Sequence, residues 1–135
     1  MSLVGVSNTN ASELIATKSY AVQQTGGGGQ VPIVNEKMAN VVNFYDDGTV
    51  QLLMGTVWRR QGTDRFGNFV YAFVRDEGIP MPGVYYQNMV MAPDCSRFQI
   101  NYVFSIMGRG CPMYKLYQYL GEGSEMARQW ISGGY

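Results

Sequence analysis

The chain has 135 residues, enough for one domain that hides roughly two thirds of its unfolded surface and too few for a second. Ten Lys+Arg balance ten Asp+Glu with no block of like charge, which excludes a nucleic-acid partner or a membrane surface held by field alone. There is no histidine, so Ser-His and Cys-His catalysis, the usual zinc ligands and an imidazole pH switch are excluded.

Met1 to Gly5 lacks the basic start and apolar run of a secretory signal, and no apolar stretch reaches membrane-span length. The expected location is the cytoplasm, with no membrane span. Residues 7–35 are rich in Ser, Thr, Asn, Gln and Gly, with glycine at every position from Gly26 to Gly29. A flexible segment is expected over 1–35, ahead of a single domain over 36–135. Inside it, Asn10-Ala11-Ser12-Glu13 offers the N-cap and N3 residues of a short helix running into Leu14-Ile15-Ala16. Lys18 to Gln23 alternates as an edge strand does, and both readings stay open.

From Met38 onward the apolar period is two. Val41–Tyr45, the turn Asp46-Asp47-Gly48 and a strand from Thr49 to about Trp58 read as a β-hairpin, because Asp-Gly supplies the positive φ that a tight turn needs. Gln61–Gly67 is the next turn, and Asn68–Arg75 the next strand. Gly78-Ile79-Pro80-Met81-Pro82-Gly83 is a rigid connection whose prolines donate nothing to a ladder. Strand Val84–Ala92 and the turn Pro93-Asp94 follow. Arg97–Met107 sets Phe98, Ile100, Tyr102, Phe104 and Ile106 on one face, and Arg97, Gln99, Asn101 and Ser105 on the other. On that assignment Phe104→Ala costs about 3–5 kcal/mol and Asn101→Ala under ~1 kcal/mol. Gly108-Arg109-Gly110 turns the chain into Met113–Leu120. Ser124-Glu125 caps a short helix to about Ile131, with Ala127, Trp130 and Ile131 on one side.

The expected fold is all-β and mainly antiparallel: a six- to eight-stranded meander closing, fully or in part, into a small β-barrel with a short C-terminal helix. A hairpin on Asp-Asp-Gly-Thr, then a meander and a late helix, is similar in architecture to calycin-type ligand-binding barrels such as lipocalins. The likeness is one of architecture, and no residue roles are carried over from it.

Ten Tyr, six Phe and two Trp fall largely on these strands, beside nine adaptable Met. Trp58, Tyr71, Phe73, Met89, Met91, Tyr102 and Phe104 are the candidate lining of a lumen for an apolar or aromatic ligand. Arg59 and Arg60, after Trp58, are candidates for its rim, where a guanidinium meets the ligand's polar end. Asp46, Asp47, Asp76, Glu77 and Asp94 sit in or beside turns, where Asp has its own local hydrogen-bonding reason to be. No catalytic residue, metal or cofactor is assigned. Cys95 and Cys111 flank a strand about 35 Å long and cannot pair. Phe69 to Val74 is apolar on both faces, so the N-terminal segment, the terminal helix around Trp130 or another subunit must cover its outer side.

The functional expectation is a non-catalytic protein that encloses a small ligand. The alternative is a structural or interaction subunit forming a homo-oligomer through the apolar strand face. The third is an isomerase- or cyclase-type enzyme working through Tyr and Asp/Glu without histidine.

Overall fold

A computed structural model describes residues 12–26, 38–79 and 81–132. The expected helix N-cap at Asn10 and the glycines at 27–29 lie outside the described residues. Eight strands follow one another: β1 (Leu14–Gly26), β2 (Ala39–Tyr45), β3 (Thr49–Leu52), β4 (Thr56–Thr63), β5 (Phe69–Asp76), β6 (Val84–Met91), β7 (Arg97–Ile106) and β8 (Arg109–Glu122), then helix α1 (Glu125–Ser132). Each strand pairs antiparallel with the next, and β8 returns to β1, so the sheet is a closed up-and-down barrel without a free edge.

Strict alternation builds the interior. Phe98, Ile100 and Tyr102 of β7 point inward and are buried, while Asn101 points out, donating from Nδ2 to Asn88 Oδ1 at 2.7 Å. Every strand sends at least one such side chain inward: Tyr20, Val42, Val50, Trp58, Tyr71, Met89, Phe98 and Tyr117 belong to one buried cluster.

Four expectations are corrected. Leu14 to Ala16 is strand, not helix: β1 is hydrogen-bonded to β2 on one side and, from Lys18 on, to β8 on the other. Two ladders satisfy more backbone than a short local helix, and they turn an expected edge into the strand that closes the barrel. The barrel therefore begins within the polar segment expected to precede it.

The single strand over Thr49–Trp58 is two strands, because the chain reverses at Leu53-Met54-Gly55. Met54 has a φ of 55° there, and the Gly55 N–H donates to Leu52 O at 3.0 Å. The turn carries apolar residues and so lacked the usual polar signature. At the end of β7, Met107 (φ 52°) and Gly108 (φ 80°) form a tight turn with both central residues at positive φ, whose twist matches the strands. β8 therefore starts at Arg109 and runs through Gly121 to Glu122, longer than expected at both ends.

Helix α1 buries Ala127 but leaves Ile131 55% exposed. It packs against β1, β2 and β8. Val74 on the outer side of β5 stays 45% exposed, so α1 is not its cover. Cys95, in the β6–β7 loop, and Cys111, opposite Phe104 on β8, are both free thiols. Among the described residues no helix is long and apolar enough to cross a membrane.

Candidate functional site

Because the strands alternate in direction, the barrel has two distinct ends. One carries the turns at Asp46–Gly48 and Asp64–Gly67, the β6–β7 loop and α1; the other carries Leu53–Gly55, the β5–β6 connection and Met107-Gly108. The first end is filled. Tyr20 meets Phe98 edge-on at 4.9 Å between ring centroids, Phe98 stacks on Tyr117 at 4.3 Å, and the Tyr20 hydroxyl donates to Cys95 O at 2.6 Å. Met91 and Tyr71 are fully buried beside them.

The second end holds a cavity of about 660 Å³. Its depth is formed by Leu52, Tyr86, Ile100, Tyr102, Phe104, Met113 and Tyr117, and its mouth by Met38, Met54, Ile79, Met81 and Ile106, all five exposed. Apart from the hydroxyls of Tyr86, Tyr102 and Tyr117, the polar side chains among the described lining residues are Asn40, Thr56, Asp76 and Lys115. Thr56 Oγ1 accepts from Trp58 Nε1 at 2.7 Å, and Asp76 Oδ1 accepts the Gly78 N–H at 2.9 Å.

The connection that forms the lip is held by backbone geometry. Gly83 has a φ of +82°, and its carbonyl accepts the Ser105 N–H at 2.7 Å; a Cβ there would stand 2.9 Å from Ser105 O. Only glycine fits both demands.

Burial pushes the Tyr86, Tyr102 and Tyr117 hydroxyls above their ordinary range, with Asp76 adding to the shift at Tyr86. All three are therefore protonated donors near neutral pH. Burial alone pulls Lys115 below the usual lysine value.

Of the expected lining residues, the cavity takes in Tyr102 and Phe104. Trp58 is fully buried behind the wall, edge-on to Phe73 (5.6 Å) and Tyr86 (5.9 Å), and Phe73 stacks on Tyr86 at 5.1 Å. Tyr71, Met89 and Met91 are core rather than lining. Arg59 and Arg60 are absent from the mouth, because β4 runs away from it and carries both toward the packed end. Arg59 lies on the outer surface, 3.7 Å from Asp47. Arg60 covers the Phe69 ring at 3.9 Å from its centroid.

The expected set missed Leu52, Tyr86, Ile100, Met113 and Tyr117 of the cavity, and with them its charged member, Lys115. Met113, Lys115 and Tyr117 alternate on β8, so placing the first and last inward places the lysine inward too.

A second concavity, on the outside of β2–β5, is lined by Asp47, Gln51, Arg59 and Arg75, whose polar groups already answer one another: Arg59 with Asp47, and Arg75 with Glu77 at 2.8 Å. Compared with protein-family models, curated proteins and solved structures, the chain matches none.

Proposed function

We propose that the protein is a non-catalytic binding protein that encloses one small, mainly apolar ligand in the open half of its barrel. The observation that carries this reading is the cavity of about 660 Å³, walled by rings and aliphatic chains and entered between exposed methionines and isoleucines. Its volume lies in the range of ligand sites, and eight strands give a barrel the calibre to hold one small molecule, as lipocalin barrels do. Flexible Met38, Met54 and Met81 at the entrance suit passage and adaptable contact. Contiguous apolar surface rimming a concavity is itself a mark of a binding site.

Titration with the neutral fluorescent probe phenylnaphthylamine tests this. Saturable binding of one probe per barrel is expected, reduced in Met113→Trp, which fills the cavity, once circular dichroism confirms that the variant is folded. A wild-type protein that gives no saturable signal, or a folded Met113→Trp that binds equally well, overturns the reading.

A second reading, an assembly subunit, is favoured by Val74, exposed on the outer side of β5 away from the helix. Size-exclusion mass separates the two. A monomer at the highest soluble concentration removes assembly through that face.

A further inference from the structure

Among the described residues Lys115 is the one cationic side chain in the cavity lining, and its surroundings ask for an anion. It projects inward from β8, paired across the ladders with Ile100 of β7 and Thr25 of β1. Its ammonium lies 5.9 Å from the centroid of the Tyr102 ring. Among the described residues its nitrogen has no carboxylate within ion-pair distance; the ion pairs are Lys18–Glu122, Arg59–Asp47 and Arg75–Glu77. Asp76, the single acid among the described lining residues, holds the Gly78 N–H and acts on Tyr86, while Lys115 feels burial alone.

A half-buried ammonium whose company among the described residues is a ring face loses hydration without recovering it from them. Such a group destabilises the empty protein and is relieved by a ligand that brings the opposite charge. Tyr86, Tyr102 and Tyr117 share the lining and carry protonated hydroxyls that donate to an oxyanion. The remainder of the depth, Leu52, Ile100, Phe104 and Met113, has nothing to offer a polar group.

Resting on the binding reading above, we propose that the ligand is an amphiphilic monocarboxylate, its carboxylate on Lys115 Nζ and its hydrocarbon portion along the apolar wall toward the methionine mouth. A zwitterion or a dianion fits less well, because among the described residues no second cation lines the cavity. A neutral apolar molecule leaves the ammonium unanswered.

Calorimetric titration with decanoate, decanol and decylamine, three probes with the same tail, separates the head-group preference from the tail. Wild-type protein is expected to bind decanoate on the order of tenfold more tightly than decanol, with decylamine weakest. Lys115→Met, which keeps length and apolar bulk, is expected to bind decanol at least as well as wild type while losing the preference for decanoate. Equal affinity for decanoate and decanol in wild type, tighter binding of decylamine, or an unchanged preference in Lys115→Met overturns the proposal yet leaves the apolar cavity standing. Failure of every probe to bind overturns the binding reading itself. The wild-type ranking needs no variant, so the test holds even if Lys115→Met does not fold.

Discussion

The two ends of this barrel are built from the same residue classes and behave differently. At the packed end, Tyr20, Phe98 and Tyr117 interlock ring on ring, and the buried Tyr20 hydroxyl donates to Cys95 O. At the open end, Tyr86, Tyr102 and Phe104 stand around space rather than filling it, and a lysine projects among them. Aromatic content therefore does not distinguish core from cavity; what does is whether an inward ring packs against its neighbours until no space is left between them. Where it does, the interior is solid.

Substitutions sharpen that contrast. Phe98→Ala removes a ring held on two sides in a region with no room to relax, and should cost about 3–5 kcal/mol in denaturant unfolding. Phe104→Ala, at the cavity wall, should cost only about 1–2 kcal/mol, because part of its surface already faces open volume. That replaces the larger loss expected from the strand pattern alone. Equal losses at the two positions would mean that the ends are equally packed. Tyr20→Phe keeps the ring and strips the hydrogen bond to Cys95 O, for an expected loss of about 1 kcal/mol by thermal melting.

The smallest effect should have the opposite sign. Lys115→Met should melt higher than wild type in the absence of ligand at neutral pH, since it exchanges a half-buried ammonium, without an ion-pair partner among the described residues, for an apolar chain. The sign with pH follows from the lowered pKa. Burial penalises the charged form, so the penalty is whole below the folded-state pKa and fades as pH climbs toward the ordinary value of 10.5. The advantage of Lys115→Met should accordingly shrink in alkaline buffer, read as the difference in Tm between the two proteins so that tyrosine titration cancels. A variant less stable than wild type at every pH would show that Lys115 is satisfied where it stands.

Much of this was legible in the residues. Alternation in Arg97–Ile106, the Asp-Gly turn and the run of short connections lead to an antiparallel barrel, and the terminal helix falls where Ser124-Glu125 caps it. Those features are local: side-chain period and turn chemistry depend on near neighbours, so a single chain displays them. The absence of histidine likewise belongs to composition, and no fold can alter it. Tertiary pairing determined the rest. Leu14–Gly26 is a strand because β2 and β8 are both there to bond it, and β8 lies about ninety residues further along the chain. Arg59 and Arg60 missed the mouth because strand direction, which no local pattern contains, carried them to the other end. Lys115 became part of a cavity wall because Met113 and Tyr117 fix which side of β8 faces in, and they are fixed by the buried cluster they join.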